Sequence, residues 1–117
     1  MAQYLINIVH TSKGGKRVRP AKLTVEGRDT IEWVNTLSAP VRLTLREGDR
    51  ILEGFPGIPD TKVMPILPPY TIEILAGRSA RYPVLASPLH GDYSYQVQDT
   101  ESGEFYNGDS DPRIDVL

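Results

Sequence analysis

The chain of 117 residues has no cysteine and only two histidines, His10 and His90. Without thiols there is no disulfide framework, no thiolate metal site and no cysteine nucleophile. One option for a metal site combines both histidines with Asp92 or Asp99; isolated surface histidines are the commoner arrangement, and no metal or other cofactor is expected. No apolar run is long enough to span a membrane. The opening "MAQYLINIVHT" turns polar too early for a signal peptide. The expectation is a cytoplasmic protein as written, with a mature exported form as the alternative, and no membrane partner. A net charge of −2 argues against a general nucleic-acid binder. The Gly-x-Ser-x-Gly elbow of serine hydrolases is missing, and "KGGK" lacks the spacing of a phosphate loop.

Helical periodicity is missing too, and ten glycines and ten prolines would interrupt it. What the chain has instead is alternation of period two. "QYLINIVHT" reads as a first strand. "AKLTVEG" follows, with Leu23 and Val25 on one face. "TIEWVN" puts Ile31, Trp33 and Asn35 on one face. "VRLTLRE" sets Val41, Leu43 and Leu45 against Arg42, Thr44 and Arg46. "YTIEILAG", "ARYPVLAS", "GDYSYQV" and "PRIDVL" complete the set. Seven or eight short strands separated by turn signals predict one antiparallel Greek-key β-sandwich over residues 1–117. Tyr93 and Tyr95 are expected to pack between the sheets with Trp33, each hydroxyl reaching a polar edge.

Two segments stand out as contact surfaces. "KGGKRVR" concentrates Lys13, Lys16, Arg17 and Arg19 in a basic loop, whereas the chain from Asp92 onward holds seven acids against Arg113 alone. Two solvated loops explain this; a dipolar surface for docking is the sharper reading. Residues 47–70 carry five prolines and an unusual apolar content, including Ile51, Leu52, Phe55, Ile58, Met64, Ile66 and Tyr70. Some of these must cap the core, and the remainder form a candidate partner surface. "NGDSDPRID" places Asn107, Asp109 and Asp111 at alternate positions, a spacing that suits oxygen ligands for Ca²⁺. The rest of such a loop is missing, and a turn is expected there.

Three pieces, taken in order, resemble the cupredoxin family of blue copper β-sandwiches. "RPAKLTVEGRDTIEWVN" is similar to the family's Pro-x-x-Leu-x-Val-x-x-Gly-Asp-x-Ile-x-Trp-x-Asn stretch, with Arg28 inserted before Asp29. "APVRLTL" is similar to the strand entry that carries Pro-His, and "GDYSYQV" to the Gly-x-Tyr-x-Tyr-x-Cys strand. The resemblance implies two imidazoles, a thiolate and a weak axial ligand. The corresponding positions hold Val41, Thr100, Val97 and, nearest the axial place, Phe105.

The expected function is therefore a copper-free, non-catalytic binding or assembly module. It would use loops at one end of the sandwich to hold a protein partner or a second copy, through Phe55, Ile58, Met64, Ile66 and Tyr70 with Lys16 and Arg17 as a further contact. The alternative is a small-molecule or enzymatic pocket at the vacated end, lined by Val41, Val97, Thr100 and Phe105.

Overall fold

A computed structural model describes residues 1–12, 15–58, 68–106 and 112–117, apart from the side chains of Lys16 and Tyr106. The described residues form two packed sheets. One has the order β2 (Lys16–Arg19), β1 (Gln3–His10), β4 (Thr30–Asn35), β7 (Ser79–Pro83). The other runs β3 (Lys22–Val25), β10 (Arg113–Val116), β8 (Gly91–Asp99), β5 (Val41–Leu45), β6 (Thr71–Ile74), with β9 (Phe105–Tyr106) beside the far half of β8. The two-layer β-sandwich is the one that the alternation predicts.

Both sheets are mixed: β1 runs parallel to β4, and β3 parallel to β10. Two strands leave no clear pattern in the sequence. β2 lies inside the stretch expected to be a basic loop, because its single apolar inward residue, Val18, is too little for a visible alternation. β9 is only two residues long. Conversely, the strands from "YTIEILAG" and "ARYPVLAS" end at Ile74 and Pro83, before the last apolar residues of those stretches, whereas β5 spans the whole alternation of "VRLTLRE".

The inward faces meet in one core. Ile6, Ile8, Ile31, Trp33, Val41, Leu43, Leu45, Val97 and Ile114 are fully buried. Trp33 lies at its centre, edge-on to Tyr82 and Tyr95 at centroid distances of 6.3 and 5.9 Å. Phe55 extends this aromatic group by stacking edge-on against Tyr82 at 5.2 Å. Offset and edge-on rings add attraction beyond the area they bury.

The core has two distinct ends. At the first, which the resemblance makes the ligand end, the chain leaves β1 at His10, β4 at Asn35, β6 at Ile74 and β8 at Asp99, and enters β5 at Val41. The opposite end, the base, is sealed by the segment after β5. Leu52 bridges to Val84, the N–H of Leu85 bonds to the carbonyl of Ile51, and Phe55 turns its ring onto Gly48. A Cβ at Gly48 would lie 2.6 Å from that ring, so the cap requires glycine there.

The turn between β3 and β4 is pinned at the base by Asp29. Arg28 takes the left-handed conformation (φ 70°) that lets the chain reverse. The Asp29 carboxylate accepts the N–H groups of Ala2 and Glu26, each at 2.8 Å, and so joins the entry of β1 to the end of β3. The Ala2 bond holds its carboxyl below the ordinary carboxylate range, burial opposes this, and the Glu26 bond and the amino-terminal charge add to the lowering. Asp29→Ala should cost about 1–3 kcal/mol at neutral pH, because two N–H groups lose their acceptor. A depressed carboxyl contributes stability above its unfolded pKa and loses it as the pH falls through its folded value. The gap between wild type and variant in urea unfolding should therefore be constant at neutral pH and narrow only below the ordinary carboxyl value of 3.8.

Candidate functional site

The ligand end is built by four strand termini. Along β8, Tyr93, Tyr95, Val97 and Asp99 fall on the inward phase. β5 runs antiparallel beside it, which sets Val97 opposite Leu43 and Val41 opposite Asp99. Both valines are completely buried. The structure thus brings together the positions at which the resemblance expects an imidazole and a thiolate, and it fills them with hydrocarbon.

Hydrogen bonds close the rest of this end. The Thr100 hydroxyl and backbone N–H both donate to the carbonyl of Pro40, at 3.2 and 3.3 Å. Asn35 is fully buried at the end of β4. Its amide donates to the carbonyls of Ala39 and Ile74 at 2.9 and 3.0 Å, and its oxygen accepts the N–H of Leu37 at 3.0 Å. Since β4 and β6 belong to different sheets, this one side chain ties the two layers together and shapes the 36–40 connection. Asp99 acts locally as well. Its carboxylate accepts the N–H groups of Glu101 and Ser102 at 2.8 and 3.2 Å and folds the turn from β8 into β9. Phe105 stands on β9 opposite Gln98 with its ring half-exposed, away from the valines.

The donors that copper needs are not supplied by these residues. A valine has no lone pair, Thr100 spends its hydroxyl on Pro40, and Phe105 offers only a ring. Among the described residues no three His, Asp or Glu side chains gather as a metal could require. The two histidines lie at opposite ends of the sandwich: His10 closes β1 at the ligand end, and His90 precedes β8 at the base. A joint site for both is thereby ruled out. Above the filled positions there remains an open cleft of about 500 Å³ between His10, Leu37, Ser38 and Glu101. It is a shallow rim feature, and the four positions proposed as pocket lining do not line it.

The other expected contact residues divide. Phe55 is only 4% exposed and belongs to the core, which removes it from any contact surface. Ile58, three residues on, is 77% exposed. Tyr70 is half-buried in the left-handed conformation (φ 58°), and its N–H approaches the carbonyl of Gly57 at 3.5 Å. Gly57 and Tyr70 are thereby side by side at the base. Met64 and Ile66 lie outside the described residues, as do Asn107, Asp109 and Asp111 of the suggested Ca²⁺ loop. Arg17 is on β2 opposite Val9, and Lys16 opposite His10. The basic hairpin and the acidic turn at Asp99 and Glu101 consequently share one end of the molecule. Over these residues the charge forms a rim of mixed sign, which does not match the sharper reading of a dipolar surface.

The two tyrosines each meet half of their expectation. Tyr93 is partly buried and its hydroxyl donates to the carbonyl of Leu89 at 2.7 Å. Tyr95 packs edge-on against Trp33 between the sheets, but its hydroxyl reaches no polar edge. Its hydroxyl and the indole N–H of Trp33 are both buried, near each other, with no well-formed hydrogen bond. Burial pushes the Tyr95 hydroxyl up to about 12, so it stays neutral.

No protein-family model matches the chain. No curated protein matches it by sequence. The similarity lies in the fold. An oxidised mutant of amicyanin is 13% identical, covering 98% of this chain and 82% of its own, with a TM-score of 0.54. A Cu(I) amicyanin mutant is 14% identical over the same shares, with a TM-score of 0.52. A purple cupredoxin from Nitrosopumilus maritimus is 17% identical, with both chains covered completely and a TM-score of 0.50. The architecture is accordingly cupredoxin-like.

Asn35→Ala should remove about 2 kcal/mol or more, since it strands two buried carbonyls and the Leu37 N–H. Hydrogen exchange should locate the loss: the Leu37 amide should exchange faster in the variant even under conditions where Ile6 and Val97 stay protected.

Proposed function

We propose that this cupredoxin-like sandwich serves as a binding or assembly module without copper, and that the loop segment at its base is the contact surface. The carrying observation is the contrast within that segment. Ile51, Leu52 and Phe55 are buried and seal the core, while Ile58 projects almost fully into solvent immediately after. A segment that is anchored by apolar side chains on one side and presents an apolar side chain on the other is held ready for a partner at little ordering cost. Leu89, 44% exposed and tied through its N–H to the carbonyl of Arg50, widens the apolar surface at the same end. Greek-key connectivity, the absence of copper and a protein partner or second copy as occupant all form part of this reading.

The filled ligand end favours it over the small-molecule alternative. Val41 and Val97 occupy the space that a pocket would need, and Thr100 is committed to Pro40.

Ile58→Glu should leave unfolding free energy within about 0.5 kcal/mol of wild type, as for other exposed positions. It should also abolish capture of the partner from the native host, or shift the chain's oligomeric state in light scattering. Phe55→Ala, in contrast, should cost about 3–5 kcal/mol as a buried aromatic truncation. If Ile58→Glu changes neither partner capture nor oligomeric state, the base is not the contact surface.

A further inference from the structure

The four-stranded sheet has a notch in one edge. β2 lies beside β1 only from Asn7 to His10. At Arg19–Pro20 the chain turns off toward the other sheet, where β3 begins at Lys22. Among the described residues, Gln3 to Ile6 of β1 have no strand neighbour on that side.

The pairing pattern shows which backbone groups face the notch. The carbonyls of Ala2 and Ile8 accept the N–H groups of Thr30 and Thr36, so the even-numbered residues of β1 turn their backbone groups toward β4. A strand alternates, so the odd-numbered ones turn theirs the other way. Asn7 and Val9 find Arg19 and Arg17 of β2 there. The N–H and C=O of Leu5 find the notch. It forms a groove of about 490 Å³ lined by Leu5, Asn7, Arg17, Arg19, Pro20 and Ala21. The Leu5 side chain is 58% exposed above it.

Among the described residues that line the groove, the charge has one sign. Arg17 and Arg19 share the outward phase of β2, two residues or about 6.7 Å apart. Neither "QYLINIVH" nor "KRVR" contains an acid. The one acid on the outward face of β4, Glu32, is in register with Leu5 but stands one strand further from the notch, where it is directly opposite Arg81 of β7.

We propose that this notch binds an extended acidic peptide segment of a protein partner. The segment would add to β1 as a short strand in line with β2. Its residue opposite Leu5 would exchange both backbone hydrogen bonds with Leu5. The side chain of that residue would stand about 6.7 Å along the same face from Arg19, where a carboxylate comes within reach of the guanidinium fork. Main-chain bonds would supply affinity, and Arg19 the preference for acid. The notch is a second surface beyond the base, and the two fail independently, because Ile58→Glu leaves it untouched.

The probe is a capped synthetic pentapeptide, threonine–glutamate–valine–glutamate–threonine, titrated into the full chain and followed by amide chemical shifts. Expected are saturable shifts at the amides of Leu5, Asn7 and Ala21, at least tenfold weaker with Arg19→Glu and unchanged with Ile58→Glu. A peptide with lysine for glutamate should not bind, and one N-methylated at its central residues should bind at least tenfold more weakly. The proposal is overturned if those three amides do not shift at about 1 mM peptide. It is also overturned if the N-methylated peptide binds equally well, or if the free chain already buries Leu5 in a dimer that Arg19→Glu dissociates.

Discussion

The amide of Asn35 holds the ligand end of this sandwich together. It terminates β4 in one sheet, donates to Ile74 of β6 in the other, and shapes the 36–40 connection between them through Ala39 and Leu37. A fully buried amide is stable only when its donors and acceptor are satisfied, and here they are satisfied by backbone from both layers. The other features of this end follow. The 36–40 connection is held where Pro40 can accept from Thr100, and β5 enters at Val41 in register with Asp99. Val41 and Val97, on neighbouring strands of one sheet, are completely buried there.

This makes the ligand end self-sufficient. In a metal site the coordination bonds would draw the strand ends together; here hydrocarbon packing and the Asn35 network do so. The chemistry available at that end is correspondingly small, and the surfaces proposed to engage a partner lie elsewhere. They are the base with Ile58 and Leu89, and the notch beside β1 with Leu5 and Arg19. Both follow from how the core is closed. The base segment must bury Ile51, Leu52 and Phe55, which leaves Ile58 outside. The crossing at Arg19–Pro20 must carry the chain to the other sheet, which leaves half of β1 without a neighbour.

Much of this was legible in the alternation of apolar residues, because burial on one face of a strand imposes period two. The inward sets at Ile31, Trp33 and Asn35, at Val41, Leu43 and Leu45, and at Tyr93, Tyr95 and Val97 are the clearest cases. β2 was hidden because an edge strand buries little: Val18 is its only described core residue, flanked by charges. Parallel pairing of β1 with β4 was hidden because it depends on contacts between distant segments. Phe55 looked like a surface residue because proline-rich loops usually are on the surface; its burial depends on Gly48 and Tyr82, which only the fold brings near. The role of Asn35 did have a signal, a polar residue at the inward phase of an apolar strand. The notch had none, since an open backbone edge is a property of pairing and not of side chains.

Packing and hydrogen bonding among Asn35, Val41, Val97 and Thr100 hold the ligand end, and the proposal of a copper-free module depends on their sufficing without a metal. Its most direct test is the thermal unfolding midpoint of chelator-treated protein, measured with none and then with one equivalent of Cu(II) or Zn(II). The same midpoint is expected in each case, because Val41 and Val97 have no donor atom and Thr100 offers only a hydroxyl already bonded to Pro40. A midpoint that rises and saturates at one equivalent of either ion would contradict it.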